Sequence, residues 1–480
     1  MGKAPVLTLL VLVLTAITLI SEPSLGEAAS GELVSSDREA IINRVNSIGV
    51  AADMNDWPGV RDCFAEKVEL DYTSMAGGEP ASLEPDRIVE NWRKILAGFE
   101  LTWHVITNHE VRVKENEGWC FSYVEALHVI PGALNGETWT VNGHYYHHLI
   151  RTPGGWKVDR MKFLKTRLDG NQALPGLAMK RAEPLQREVK FESEGSRLVG
   201  TLYLPGDYKD GKKLPAAIVG GSWTTVKEQM AGGYAREMAR LGLAALAFDH
   251  RGYGQSEGLP RDYESPLKKI QDFNQAVKCL QTRPEVDGER VGALGVCAGA
   301  GYLAVSAALE SGLKSLVTVA AWLHDPTTVK LIYGGEEGVR DKIQVGEKAR
   351  EKFDKTGQVD YVPAISVSDR QAAMFGEFDY YLNPKRGAIK AWSNRFAVMA
   401  WPEWLKFNPL ETASRIKAPV LIIHSENAAL PQGARKFFQA LGGPKTIQWL
   451  DGSHFDYYDH PRYMRQAARL AADHFRQTMK

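Results

Sequence analysis

Apolar positions along the chain follow two rhythms in turn. In "SSDREAIINRVNSI", Ile41, Val45 and Ile48 recur at helical spacing, and Ser36 and Glu39 stand at capping-box distance. "DWPGVRDCFA" and "DRIVENWRKILAGF" keep a helical pattern. The period then changes to two: "TWHVITNHEVRVKE", "WCFSYVEALHVI", "ETWTVNGHYYHHLIRT" and "GWKVDRMKFLKTRL" alternate, broken at "ENEG", "PGALNG" and "TPGG". Helices followed by hairpin-linked strands predict an α+β unit over residues 35–170. "DGNQALPGLAMKRAEPLQR" is punctuated by Pro and Gly without a clear period, and residues 171–184 are read as a linker.

Beyond the linker the strands become continuously apolar. "REVKFESE" and "RLVGTLYLP" predict a hairpin, and "PAAIVGG", "GLAALAFD", "RVGALGVC", "LKSLVTVAA", "APVLIIHSE" and "KTIQWLD" follow, mostly with helical stretches between them. Such a rhythm predicts a mostly parallel sheet with helices on both faces, occupying residues 185–480. Residues 325–417 interrupt it with an aromatic-rich insertion, including Phe375, Phe378, Tyr381, Trp401 and Trp404, which reads as a helical lid.

Composition narrows this picture. A chain of 480 residues exceeds one ordinary core, in keeping with two domains. Its 58 basic and 58 acidic residues balance, giving no electrostatic reason to expect nucleic acid or an acidic membrane surface. Lys3 and the run "VLTLLVLVLTAITLI" have the form of a secretory signal, with small residues at Ser24-Leu25-Gly26 for cleavage. Residues 1–26 are therefore expected to be removed and the protein exported, periplasmic or extracellular, without stable membrane association. Four cysteines are too few for a disulfide scaffold, although Cys63 and Cys120 could pair in an oxidising compartment. The histidines lack metal-ligand spacing, so no metal or other cofactor is expected.

Cys297 has a context that asks for chemistry. It is the centre of a G-x-C-x-G motif, Gly295 to Gly299, between the strand "RVGALGV" and the helix "AGYLAVSAALES". A nucleophile at such a strand-to-helix elbow sits in strained backbone, and its flanking positions must lack bulk. The helix N-terminus behind it favours a thiolate. His454, in "KTIQWLDGSHFDYYDH" past the last strand, is the expected base. The orienting acid is expected after "LIIH", but Ala428 stands where a carboxylate would be comfortable; Glu426 is the first choice and Asp325, past the preceding strand, the second. The oxyanion hole is assigned to the N–H groups of Ala298 and Trp223, with Ser222 the rival to Trp223. Asp249 and Arg251 in "AFDHRGYGQSEG" are read as braces of a tight loop.

Residues 185–478 resemble the α/β-hydrolase superfamily, particularly its dienelactone-hydrolase-like members, through "GSWTTVKEQ", "FDHRGYGQSEG", "GVCAGAGY", "PVLIIHSE" and "GSHFDYYD". That resemblance implies a Cys nucleophile with Asp and His, which Cys297 and His454 match and Ala428 does not. Residues 35–170 resemble the SnoaL-like branch of the nuclear-transport-factor-2-like superfamily, through "DWPGVRDCFAEKVELDYTS", "TWHVITNHEV" and "GHYYHHLIRTPGGWKVDRM". It implies a cone whose sheet wraps a pocket, in a family of isomerases, dehydratases and binding modules. The expected function is hydrolysis of a small apolar or aromatic ester, lactone or thioester through an acyl-enzyme. The alternative centres on the cone, as a binder or isomerase, with Asp53, Tyr72, His104, His109 and His144 as its polar groups.

Overall fold

The computed structural model describes residues 37–309 and 312–480; the expected signal, 1–26, and Ser36 of the capping box lie outside them. Two sheets with two separate hydrophobic clusters organise the chain. The first sheet has six strands, in the order Ala81–Leu83, Phe64–Asp71, Gly155–Gly170, Thr138–Thr152, Glu117–Val129, Leu101–Lys114. Its long strands pair antiparallel and curl around the helix Asp37–Asp53, whose Ile41, Val45 and Ile48 are buried against them. The helical spacing that predicted this element is thus the stripe that fills the cone.

The stretch read as a linker carries a helix, Leu174–Ala182. Leu174, Ala178 and Ala182 recur every four residues and are buried in the first cluster. Pro175 and Gly176, which looked like breakers, lie in the first turn, where a proline's missing N–H has no intrahelical role.

The second sheet has eight strands, in the order Lys445–Trp449, Val420–His424, Leu316–Val319, Val286–Val296, Leu214–Gly220, Ala244–Phe248, Ser196–Leu204, Leu185–Ser193. The first six are parallel; the last two form an antiparallel hairpin at one edge. The continuous apolar runs of the central strands are buried on both faces, by the helices Met230–Arg240, Pro266–Gln281, Ala298–Ala308 and Pro461–Thr478 among others, while the edge strands Lys445–Trp449 and Leu185–Ser193 stay partly exposed. The insertion folds as helices Pro326–Ile332, Gly335–Thr356 and Trp401–Lys406 with short strand pairs between. The two sheets are tied by Arg476, which pairs with Glu100 at 3.0 Å, and by Arg465, which donates to the Ala97 carbonyl at 2.8 Å.

Candidate active site

The strand Val286–Val296 ends at Cys297, and the helix Ala298–Ala308 starts directly after it. Cys297 has φ 53° and ψ −120°, a left-handed conformation that costs a non-glycine residue energy. Backbone bonds hold it there: Cys297 N–H donates to Val319 O at 3.1 Å, and Cys297 O accepts from Trp322 N–H at 3.0 Å and from Ala300 N–H at 3.2 Å. The flanking glycines are sterically required. A Cβ on Gly295 would lie 2.5 Å from Ala300 Cα, and one on Gly299 would lie 2.4 Å from Gly221 O. Burial pushes the Cys297 thiol above its ordinary 9.0, opposed by the hydroxyls of Ser222 and Tyr458 and by the N–H groups of Ala298 and Trp223. Those two N–H groups are the ones the sequence assigned to the oxyanion hole.

Turns around Cys297 are braced by buried charges. Glu264 accepts from Thr224 N–H at 2.8 Å, from Tyr302 Oη at 2.5 Å and from Lys269 Nζ at 2.8 Å. One carboxylate therefore joins the Trp223 turn to the helix behind Cys297. Asp249 accepts from Lys227 N–H and Nζ, both at 2.8 Å, while Arg251 Nε reaches Asp272 at 2.6 Å. Asp249 and Arg251 thus support loops, as their setting in the sequence suggested.

His454 lines the same cavity as Cys297, a space of about 470 Å³ whose wall includes Trp223, Tyr333, Phe378, Tyr381 and Trp404. Its Nε2 meets Tyr458 Oη at 3.1 Å, and Tyr458 Oη lies 2.9 Å from Ser222 Oγ. Tyr381 Oη donates to Ser222 Oγ at 2.9 Å. A chain of hydroxyls therefore connects the imidazole to the sulfur. Sequence reasoning missed Tyr458 and Tyr381. The signal for Tyr458 is its nearness in sequence: it lies in the short helix Asp456–Asp459, which begins two residues after His454.

The acid is where expectation and structure part. Glu426 is ion-paired with Arg435 and exposed. Asp325 caps the first lid helix through Thr328 N–H at 2.8 Å and pairs with Lys436 at 2.6 Å. Neither is bonded to His454. In the place of a carboxylate, Ala429 N–H donates to His454 Nδ1 at 3.3 Å. A donor there is the electrical opposite of an acid: it puts the ring hydrogen on Nε2 in the resting state. Without a carboxylate to offset it, burial pushes His454 down to about 3, and the nearby His424 adds to the effect. All four cysteines are free, so Cys63 and Cys120 do not pair.

Residues 194–456, more than half of the chain, match the family model described as X-Pro dipeptidyl-peptidase (S15 family). The chain belongs to that family. Residues 34–162 match the SnoaL-like domain, so an α/β-hydrolase enzyme carries a SnoaL-like domain at its N-terminal side. An uncharacterised protein of Pseudomonas aeruginosa, PA2218, is 31% identical over 292 residues, 57% of this chain and 76% of that protein. Its crystal structure superposes with a TM-score of 0.55 at 28% identity, covering 62% of this chain and 95% of that one. A thiohydrolase of Eupenicillium brefeldianum is 27% identical over 289 residues, 56% of this chain and 88% of that protein.

Proposed function

We propose that this hydrolase cleaves an activated acyl bond, a thioester or a reactive ester with an apolar or aromatic acyl group, through an acyl-enzyme on Cys297. The reading is carried by one observation: a strained Cys297 whose sulfur faces two backbone donors, Ala298 and Trp223, in an apolar cavity shared with His454. In the proposed step the sulfur forms a bond to the carbonyl carbon and the carbonyl pair moves onto oxygen, between those donors. The tetrahedral species then collapses and expels the thiolate or alkoxide. Water attacks the resulting acyl-thioester, the acid leaves, and Cys297 is regenerated.

His454 and Tyr458 handle the protons in this reading. The Ala429 contact to Nδ1 is long, at 3.3 Å, so substrate binding can release it and let Nε2 accept the thiol proton through Tyr458. The missing carboxylate bears on the substrate. An amine must be protonated as it departs, and His454, with no carboxylate bonded to steady its imidazolium and with burial holding it down to about 3, supports that transfer poorly. A thiol near pKa 8.5 leaves as thiolate without such help. Thioesters are therefore favoured over peptides despite the family's description, and the similarity to a thiohydrolase supports the same direction. Export through residues 1–26 belongs to this reading too, and N-terminal sequencing of the secreted protein tests it.

The test of the reaction is hydrolysis of a benzoyl thioester of N-acetylcysteamine, followed by thiol release. Cys297→Ala should abolish turnover while the melting temperature survives; unchanged turnover overturns the proposal.

A further inference from the structure

A cavity of about 330 Å³ opens on the seam between the cone and the hydrolase half. Domain seams are common places for small-molecule sites, and this space is at the lower end of their size range. Both halves line it. Trp57 and Arg93 come from the cone, Arg236 and Arg240 from the helix Met230–Arg240, and Arg465 from the helix Pro461–Thr478. Tyr458 lines both this cavity and the one at Cys297, so the two spaces share a wall.

The lining holds five arginines against three carboxylates. Two of those carboxylates are engaged elsewhere: Asp459 accepts from Arg386 Nε at 2.8 Å, and Glu228 accepts from Lys227 Nζ at 2.6 Å. Glu237 serves two arginines at once, pairing with Arg240 and lying 3.1 Å from Arg465 Nε. Arg93 and Arg236, nearer the mouth, have no carboxylate within ion-pair distance among the described residues. Burial holds the Arg93 guanidinium below its usual range, and the charges of Arg240 and Arg236 add to the effect. Arg465 is the deeper group, its side chain 11% exposed. Its Nη2 donates to the Ala97 carbonyl at 2.8 Å, while its Nη1 is buried with nothing to donate to. Burial pushes it down to about 10, Glu237 opposing and Arg240, Arg469 and Arg93 reinforcing.

Positive charges crowded on one wall repel one another, and a buried charge without its full set of partners is costly. A buried donor such as Arg465 Nη1 is rarely left unpaired. The side chains of the described residues leave this excess standing, so the wall suits an anion that arrives from solution. Forked guanidinium donors converging from three helices fit a tetrahedral dianion, whose oxygens point several ways, better than a flat carboxylate. We propose that the seam is a phosphate site, taking the dianion free or as the monoester of a small aromatic or apolar alcohol. Arg93 and Arg236 neutralise it, Arg465 Nη1 donates to one of its oxygens, and Trp57 and Tyr380 offer apolar surface for an organic group. Bound there, phosphate ties the cone to the hydrolase half at a place that neither half builds alone. The site does not depend on the chemistry at Cys297.

Thermal shift and titration calorimetry on the full chain test this, with inorganic phosphate and phenyl phosphate as probes and potassium chloride at matched ionic strength as the control. Phosphate should raise the melting temperature where chloride does not. Arg93→Gln and Arg236→Gln should each weaken phosphate binding at least about 10-fold. Neither side chain holds an ion pair, so the melting temperature of each variant without phosphate should match that of the wild type. A lower Kd for phenyl phosphate than for inorganic phosphate assigns the site to a monoester, and equal values assign it to the free ion. No stabilisation beyond that of chloride, or phosphate affinity unaltered in both variants, overturns the proposal.

Discussion

Acid should unfold this protein from two places at once. His128, His147, His324 and His424 are each no more than 3% exposed. Burial pushes His147 down to about 3 and the other three to about 4. Each has a folded pKa below its unfolded 6.5, so its contribution is present above pH 6.5 and lost as pH falls toward 4. At pH 5 the unfolded ring is nearly all protonated while the folded ring stays neutral, a difference of about 2 kcal/mol per ring relative to pH 7. Two rings lie in the cone and two in the hydrolase half, so each half loses about 4 kcal/mol, a large share of a domain's ordinary 5–15 kcal/mol. Asp71 and Asp325, held down to about 2, stay ionised in this window and contribute little. Urea unfolding followed by tryptophan fluorescence at pH 7.5, 6 and 5 measures the loss. His424→Phe, which keeps a flat ring against Trp449, should remove about 2 kcal/mol of the pH dependence. Equal unfolding midpoints at pH 7.5 and 5 would refute the reasoning.

Three further outcomes follow from the site. With the Cys297 thiol raised above 9.0, its thiolate fraction grows with pH, so kcat/KM should climb from pH 6 to 9; a plateau below pH 7 contradicts this. Tyr458→Phe removes the hydroxyl between His454, Ser222 and Cys297, and kcat/KM should fall about 10- to 100-fold with the fold retained on melting. Glu426→Gln breaks the pair with Arg435 and removes a charge near His424 without touching His454, so thioester turnover should stay within about two-fold of wild type; a loss of about 100-fold would return Glu426 to the proton chemistry.

The sheet of the hydrolase half was readable because its central strands are apolar on both faces, as in Leu214–Gly220, Ala244–Phe248 and Val420–His424. The elbow was readable because only glycine satisfies the 2.5 Å and 2.4 Å approaches at positions 295 and 299. What stayed hidden depends on tertiary placement. The helix Leu174–Ala182 is short and opens on Pro175, so local composition outweighed its four-residue spacing. The His454 surroundings were hidden for another reason. A backbone N–H, that of Ala429, occupies the place of an acid, and backbone groups carry no mark in a sequence. Likewise, Asp53 and His104 were visible singly, but their pairing across 51 positions follows from a helix lying in a curled sheet.

The most direct test of the hydrolytic mechanism is a rapid-quench reaction with a slowly deacylating aryl ester, read by intact-protein and peptide mass spectrometry. The account predicts a single acyl group on the peptide that contains Cys297, formed and lost at rates that match turnover. Turnover without that adduct, or an adduct confined to another residue, would contradict it.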